Sequence, residues 1–244
     1  MKKSIQRIFR KKYKTIHDDS FLKRIKATII GEGMLHEGNI YLMDYAIRHM
    51  PDDGIVFEIG SYAGLSTNVM LHLLTKHDKK HMFVGCDAWI YEGFKDHTGI
   101  IETHIDGKVD VTRKEYVSYI KQAFVNAASL LHPNKKPHTC HLTSDAFFEQ
   151  WNANNEFTDV FDRTFSIQQE ISFGYIDGDH SYEQTKKDFE NVASKLKVNG
   201  FILLDDSAKH LHFGSSDFIQ EIQQHDAFKI IAHNPNYLLQ KVKE

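Results

Sequence analysis

The sequence contains little of what marks disulfide-rich, multidomain or membrane-spanning proteins. It has two cysteines and four prolines among 244 residues. Cys86 and Cys140 both fall in strand-like segments, which is unlike a disulfide framework or a Cys-x-x-Cys site, so we expect reduced cysteines that serve packing. No stretch rich in Pro, Gly or Ser interrupts the chain, and one large globular domain is therefore favoured.

Long apolar runs and a strong net charge are also missing. No segment approaches the ~18 apolar residues of a membrane span, and the N-terminus lacks the apolar stretch of a secretory signal. We therefore expect a cytoplasmic protein. The formal net charge of -3 gives no electrostatic argument for a nucleic-acid partner.

Basic residues dominate the N-terminal arm alone. Between positions 2 and 26 the arm contains ten Lys and Arg residues, and its acidic residues there are Asp18 and Asp19. A solvated basic arm is one interpretation, and weak contact with an anionic membrane surface or partner is the other. The sequence leaves open whether the chain forms a homo-oligomer.

Apolar strand-like segments alternate with helical ones after residue 53. The stretch Phe21–Met50 is predicted to be mainly helical, so residues 1–53 form a basic arm and a helical lid, and residues 54–244 form the main domain with an insertion at 89–137. Later helices are expected at Ser66–Lys76, Lys114–Leu131, AFFEQW, Tyr182–Leu196 (with VNG as its glycine C-cap) and SDFIQEIQQH. Seven strands are expected in IVFEIG, HMFVGCDAW, HTCHLTSDA, ISFGYIDGD, FILLDD, FKIIAH and YLLQKV. This alternation predicts an α/β fold with a doubly wound, mostly parallel Rossmann-like sheet, whose ligands bind outside the carboxyl ends of the strands.

The first strand leads into a glycine turn, FEIGSYAGLST. Gly60 and Gly64 permit a tight turn and close backbone approach to a ligand, and the helix starting near Ser66 offers free amides. The turn has neither the Gly-x-Gly-x-x-Gly spacing of dinucleotide sites nor a Walker lysine. Glu58 would repel a pyrophosphate and suits a cationic ligand. The alternative is a turn whose glycines serve packing alone.

Acidic residues end the next two strands. Asp87 follows the second strand, where an acid commonly accepts hydrogen bonds from ribose hydroxyls, although a turn or cap role is equally ordinary. Together with the glycine turn it indicates a ligand that carries a ribose. Ser144 and Asp145 follow the third strand, where they either contact an adenine edge or form a helix N-cap with an acidic first turn.

Two later strands also end in acids, in YIDGDHSYEQ and FILLDDS. Adjacency of these strands in the sheet would bring together Asp177, Asp205 and Asp206. Three carboxylates without compensation repel one another, which favours a bound cation, and oxygen ligands suit Mg²⁺ or a similar hard ion. The alternative is that Asp179 and Asp206 cap the helices that follow, and for Asp179 the cap is favoured.

These motifs together resemble class I S-adenosylmethionine-dependent O-methyltransferases of the metal-dependent branch, which includes catechol O-methyltransferase. HEGNIYLMDYAIRHMPDDGIVFEIGSYAGLSTNVML is similar to that family's entry helix and first motif, and FGYIDGDH and GFILLDD are similar to its two metal strands. CDAWIYEGF looks more like the macrolide-sugar methyltransferases. The resemblance runs from about Ile30 to Asp206.

The resemblance implies a role for each matching residue. The methionine part of the cofactor would be held by Gly60, Tyr62, Gly64 and Ser66, and Glu58 also matches the cofactor-binding motif. Asp87 would hold the ribose, and Ser144 and Asp145 would lie near the adenine. The metal would be bound by Asp177, Asp205 and Asp206; catechol enzymes have asparagine in place of Asp206, whereas aspartate is usual in the macrolide-sugar branch.

His180 falls where the catechol enzyme has its catalytic lysine. An unperturbed histidine titrates near pH ~6.5 and could take a proton from an acceptor hydroxyl at neutral pH. The alternative is a histidine that simply bonds the strand end. The expected activity is methyl transfer to a hydroxyl of a small molecule, with a sugar or natural product favoured over a phenol.

The insertion supplies aromatic and histidine side chains that either line the acceptor site or serve packing: Trp89, Tyr91, Phe94, His97 and His104. Two other functions compete with methyl transfer. A nicotinamide-dependent oxidoreductase is disfavoured by the missing third glycine and by Glu58. A non-catalytic cofactor-binding protein would retain the fold and lack the chemistry.

Overall fold

A computed structural model describes residues 13–16, 19–27, 33–90, 101–103, 110–222 and 225–243. The helices are α1 Ser20–Ala27, α2 Glu37–His49, α3 Leu65–Lys76, α4 Arg113–Leu131, α5 Ser144–Asn152, α6 Tyr182–Lys195 and α7 Gly214–Ile222. The strands are β1 Ile55–Ile59, β2 Met82–Asp87, β3 Ile101–Thr103, β4 Asp110–Thr112, β5 His138–His141, β6 Phe157–Thr158, β7 Thr164–Phe165, β8 Ile171–Ile176, β9 Leu196–Leu204, β10 Phe228–His233 and β11 Tyr237–Lys241.

One seven-stranded sheet organises the protein, in the order β10-β11-β9-β8-β1-β2-β5. Its pairs are parallel except where β11 runs antiparallel to β9 and β10. The predicted fold class is therefore confirmed. The chain leaves β1 toward β2 and β5 and later returns to its other side with β8 and β9, so the strand order switches direction at β1. Ligand crevices of doubly wound sheets form at such switch points.

Apolar side chains fill both faces of the sheet. On one face, Phe57 of β1 packs with Phe147 and Trp151 of α5. On the other face, Val56 shares a core with Met43 of α2 and Val69 of α3. Successive strand residues point to opposite faces, and burial on both faces explains why the parallel strands are continuous apolar runs.

Two details differ from the sequence-based prediction or lie beyond it. The segment VNG is part of β9, so the predicted glycine C-cap after α6 is wrong. The helix ends at Lys195, the chain turns directly into the strand at Leu196, and Asn199 takes up a φ of 69° within it. A small hairpin of β6 and β7, which the sequence did not indicate, follows α5.

Cys86 and Cys140 are buried and free, as expected for packing residues. Among the described helices, none is both long enough and apolar enough to cross a membrane. Most of the basic arm lies outside the described residues. The part that is described contacts the domain: Asp19 caps α1 through the amides of Phe21 and Leu22 and bonds Lys76 of α3 at 3.0 Å.

Candidate functional site

Four strands end side by side at the switch point. The register pairs Ile59 with Cys86 and Ile176, and Ile176 with Leu204. The residues that end or directly follow these strands are Gly60, Asp87, Asp177 and Asp205, which we call the strand-end row. Backbone hydrogen bonds continue the ladder into this row: Gly60 N to Cys86 O at 3.0 Å, Asp177 N to Ile59 O at 2.8 Å and Asp205 N to Ile176 O at 2.9 Å. Residues far apart in sequence are thereby held in one line.

Glycine is required at position 60 by its backbone and by its neighbour. Gly60 has a φ of 84°, which is in the region that favours glycine. A Cβ on Gly60 would lie 1.8 Å from the carbonyl oxygen of Asp177. The turn after β1 therefore packs directly against the end of β8. Gly64, with a φ of 96°, is the N-cap residue of α3, so the first amides of that helix face the same edge of the sheet.

Glu58 is completely buried behind the glycine turn. Its carboxylate accepts hydrogen bonds from the hydroxyls of Ser61 (2.7 Å), Ser66 (2.6 Å) and Thr67. Burial raises the pKa of Glu58 to about 7, against the lowering effect of the three hydroxyls. The predicted direct contact of Glu58 with the cofactor stays a prediction; in this structure its contacts connect β1 to the turn and to α3.

Asp87 also supports the turn. One oxygen, Oδ2, accepts hydrogen bonds from the backbone amides of Ser61 and Tyr62, both at 2.7 Å, and Oδ1 accepts one from Trp89 N at 2.5 Å. Burial raises the pKa of Asp87 although these amides favour its charged form. Tyr62, with a φ of 45°, is thereby held in a left-handed conformation at the top of the turn.

Ser144 and Asp145 lie at the start of α5, beyond the end of β5. The N-cap of this helix is Thr143, whose side chain accepts a hydrogen bond from Ala146 N, so the cap alternative for Ser144 is wrong by one residue. Both side chains meet α6: Gln184 Nε2 lies 3.2 Å from Ser144 Oγ and 3.3 Å from Asp145 Oδ1. Because β5 pairs with β2, with His141 opposite Asp87, α5 begins at the same edge of the sheet as the strand-end row.

The acids of β8 and β9 form a close pair. Asp177 and Asp205 directly follow neighbouring parallel strands, and the backbone amide of Asp205 donates to the carbonyl oxygen of Ile176 at 2.9 Å. Burial and the neighbouring charge of Asp205 raise the pKa of Asp177 well above its usual range. The hydroxyl of Tyr175 donates to Asp177 Oδ2 at 3.0 Å, and burial raises the pKa of this phenol well above its usual value. Two carboxyls whose charges oppose each other's ionisation favour a bound cation or a retained proton.

Asp206 and His180 stand beside this pair. Asp206 has a φ of 47°, and its Oδ2 lies 3.5 Å from His180 Nε2. Burial and the charge of Asp205 raise the pKa of Asp206, whereas His180 lowers it. Since α7 begins at Gly214, Asp206 does not cap the next helix. The His180 ring also packs near Phe213, with 5.3 Å between ring centroids.

Asp179 supports the start of α6 but is not its N-cap, so the favoured helix-cap interpretation is wrong by two residues. Its Oδ1 accepts a hydrogen bond from Ser181 N at 2.8 Å. The N-cap residue itself is Ser181, whose hydroxyl accepts from Gln184 N. Asp179 therefore stabilises the turn that precedes the cap. In YIDGDHS, Asp179 and Ser181 support the helix start, whereas Asp177 and His180 lie at the candidate site.

The donor chemistry at the ends of β8 and β9 fits a hard cation. Carboxylate oxygens are its preferred ligands, and a cation there would offset the repulsion between the charges of Asp177 and Asp205. Within the described ranges, no three His, Cys, Asp or Glu side chains are arranged as a complete ligand set. The three predicted ligands follow β8 and β9 at one edge of the sheet, and the magnesium site itself stays a prediction.

The described part of the insertion packs against the glycine turn. Trp89 is 4% exposed, and its Nε1 donates to Tyr62 O at 2.9 Å. Its ring makes an edge contact with Phe124 of α4, so it serves packing, as one of the two interpretations proposed. The other predicted wall residues lie outside the described residues: Tyr91, Phe94, His97 and His104.

Several site residues escaped the sequence-based prediction. Asn39 and Asn236 both donate to Asp205, and Tyr175 reaches Asp177. Two of these residues could have been recognised from their positions in the sequence. Asn39 lies on the apolar face of α2 at helical spacing from Met43, and Tyr175 shares a strand face with Asp177 two residues later.

Comparison with known proteins gives one family match and many matches of fold. Residues 57–207 match the family described as a methyltransferase domain. No curated protein sequence matches the chain. Among solved structures, the O-methyltransferase NovP aligns with a TM-score of 0.53 at 17% identity, over 84% of this chain and 80% of its own.

Two further structures cover almost the whole chain. CalS11, a TDP-rhamnose 3′-O-methyltransferase of calicheamicin biosynthesis, aligns with a TM-score of 0.52 at 15% identity, over 93% of this chain and 97% of its own. An O-methyltransferase from Bacillus cereus, in complex with SAH, aligns with a TM-score of 0.57 at 12% identity, over 93% of each chain. At such identities the likeness establishes the fold.

Proposed function

The chain belongs to the methyltransferase-domain family, and on that premise we propose that it transfers the methyl group of S-adenosylmethionine to a hydroxyl of a small acceptor. The strand-end row carries this proposal. It places a glycine turn, a helix N-terminus and Asp87 beside the carboxyls of β8 and β9, all at the switch point of one sheet. A nucleoside cofactor and a hydroxylated acceptor would meet there.

The cofactor half is assigned to β1, β2 and β5. Gly60, Tyr62, Gly64 and Ser66 would hold the methionine part, Asp87 the ribose, and Ser144 and Asp145 the adenine edge. Burial raises the pKa of Glu58 and of Asp87, and a positively charged ligand nearby, such as the sulfonium of S-adenosylmethionine, would favour their ionised forms. The Bacillus cereus structure of similar fold was solved in complex with SAH, which supports the same cofactor class here.

The acceptor half is assigned to β8 and β9. Asp177, Asp205 and Asp206 would hold Mg²⁺ or a similar divalent cation, which lowers the pKa of a bound hydroxyl and orients it. His180 Nε2 would take the proton of the acceptor hydroxyl, and the neighbouring Asp206 would stabilise the imidazolium that results. As the acceptor oxygen forms its bond to the methyl carbon, the carbon–sulfur bond breaks and the electron pair stays on sulfur. Holding two reactants in line could supply ~7–11 kcal/mol at best.

A sugar hydroxyl is the acceptor that we favour. The segment CDAWIYEGF resembles the macrolide-sugar methyltransferases, and the similarly folded CalS11 is named as a TDP-rhamnose 3′-O-methyltransferase. Phenols are the second acceptor class, because the same fold and a divalent cation also suit catechol-type chemistry.

An acceptor screen by mass spectrometry tests the proposal. Purified full-length protein, S-adenosylmethionine and Mg²⁺ are incubated with panels of sugars, nucleotide sugars and phenols, and methylated products are identified. Calorimetric titrations of S-adenosylmethionine and of NAD are run on the same sample. We expect binding of S-adenosylmethionine and a methylated sugar. Binding of NAD alone would contradict the proposal, and cofactor binding without any methylated product would favour a non-catalytic protein.

A further inference from the structure

Two asparagine side chains reach Asp205 from parts of the chain that are far apart in sequence. Asn39, on α2, donates from Nδ2 to Asp205 Oδ1 at 2.5 Å. Asn236, between β10 and β11, donates from Nδ2 to the same oxygen. Asn236 Nδ2 also lies 3.1 Å from Asn39 Oδ1, so the three side chains form one connected network. We call Asn39 and Asn236 the amide clamp.

The amide clamp is buried together with its target. Asn39 is 0%, Asn236 1% and Asp205 6% exposed. Burying polar groups costs free energy unless they are paired, and apolar side chains of similar size would fill this space at lower cost. Packing alone therefore does not explain why α2, the end of β9 and the β10–β11 connection contribute polar side chains to one buried network.

The chemistry of the donors supplies a reason. A lysine or arginine beside Asp205 would orient the carboxylate and also neutralise it. Amide groups orient the carboxylate through hydrogen bonds and carry no net charge, so the amide clamp adds no positive charge beside Asp205. Both amides converge on Oδ1, so neither of them occupies Oδ2, which could serve a ligand.

Asn236 holds the backbone after Asp205 as well. Its Oδ1 accepts a hydrogen bond from Ala208 N at 3.2 Å. The next residue, Tyr237, donates its amide to Ser207 Oγ at 2.9 Å. The turn that carries Asp205 and Asp206 is thereby fixed to β11 by contacts from the side chain of Asn236 and from the backbone that follows it.

We propose that Asn39 and Asn236 are positioning residues, which hold Asp205 in the orientation that a divalent cation requires. This inference rests on the metal site assigned under the proposed function. Hydrogen-bond partners of ligating carboxylates fix the ligand's orientation, and their removal typically lowers metal affinity. The amide clamp would act through Asp205 and would not touch substrate or cofactor.

The same connection offers a matched control. Asn234 is also buried, at 8% exposed, but its side chain pairs with the backbone of Lys14, accepting from Lys14 N at 3.0 Å and donating to Lys14 O at 2.8 Å. It donates to Gly38 O at 3.3 Å and has no hydrogen bond to Asp205. Asn234→Ala should therefore lower stability without disturbing the orientation of Asp205.

The experiment measures Mn²⁺ binding to the full-length protein by isothermal titration calorimetry, in the absence of acceptor. Asn39→Ala, Asn236→Ala and the control Asn234→Ala are compared with wild type, and S-adenosylmethionine affinity is measured separately in chelator. We expect both clamp variants to bind Mn²⁺ about 10- to 100-fold more weakly. Asn234→Ala should bind Mn²⁺ like wild type, and cofactor affinity should be unchanged in all variants. If an alanine variant does not fold, Asn236→Ser, which retains a hydroxyl donor, should still weaken Mn²⁺ binding.

Three outcomes would overturn the inference, and they are distinguishable. If wild type binds Mn²⁺ and the clamp variants bind it as tightly, Asn39 and Asn236 are structural alone and the proposed function stands. If wild type itself binds no Mn²⁺, the metal assignment fails and the role of the amide clamp fails with it. Equal weakening of Mn²⁺ binding in Asn234→Ala would also contradict the inference, because loss of stability would then explain the effect.

Discussion

The buried carboxyl of Glu58 makes the stability of the protein depend on pH in a predictable direction. Burial raises its pKa from 4.5 to about 7 in the folded state. The folded protein therefore holds this proton more tightly than the unfolded chain does. The contribution of this proton to the stability of the folded protein is complete below pH 4.5 and is lost as the pH rises through about 7.

The glutamine variant isolates this contribution. Glu58→Gln is neutral at every pH, and any change that it makes to the hydrogen bonds of Ser61, Ser66 and Thr67 is a constant offset. Between about pH 5 and about pH 8, the unfolding free energy of wild type should fall by about 2.5 kcal/mol relative to that of the variant. For a chain of this size, the corresponding shift in melting temperature is roughly 5–10 °C.

Thermal and denaturant unfolding of both proteins at the two pH values would measure the difference. Asp145→Asn is a matched control, since Lys187 lowers the pKa of the Asp145 carboxyl and that carboxyl stays ionised in both states over this range. The difference in unfolding free energy between Asp145→Asn and wild type should not change with pH. If the difference in unfolding free energy between wild type and Glu58→Gln is also independent of pH, the explanation based on burial is refuted.

Three further substitutions address the turn, the ribose site and the base. Gly60→Ala places a Cβ against the carbonyl oxygen of Asp177 at a positive φ and should cost about 2–4 kcal/mol, visible as a lower melting temperature; an unchanged value would contradict the close packing. Asp87→Asn weakens the support of the turn and should reduce S-adenosylmethionine affinity about 10-fold by calorimetry, and unchanged affinity would remove Asp87 from the cofactor site. His180→Ala should lower kcat about 10²- to 10⁴-fold with cofactor affinity intact, whereas unchanged turnover would exclude His180 as the base.

The sequence allowed the strand-end row to be predicted because of the geometry of parallel strands. Asp87, Asp177 and Asp205 each follow an apolar strand, and parallel neighbours end at the same edge of a sheet. Their proximity therefore required only the order of the strands. The family match over residues 57–207 supports the same fold.

Contacts between distant segments could not be predicted in this way. No local pattern indicates that Asn39 and Asn236 meet at Asp205, which is 166 residues from the first and 31 from the second. The VNG segment was misassigned because a glycine after a helix has the same local signature whether it caps the helix or lies within a following strand. In β9 the VNG segment lies between Leu196 and Phe201, which pair with Ile171 and Phe173 of β8, so the strand runs across it through an irregular stretch.

The most direct test of the central claim follows a labelled methyl group. Wild type and Asp177→Asn are incubated with trideuteromethyl S-adenosylmethionine and the acceptor found in the screen, each with Mg²⁺ and with chelator, and the products are measured by mass spectrometry. We predict that wild type with Mg²⁺ attaches the label to an acceptor oxygen, and that chelator or Asp177→Asn abolishes the product. Undiminished labelled product with chelator and in the variant would contradict the assignment of the β8 and β9 carboxyls to the site of methyl transfer.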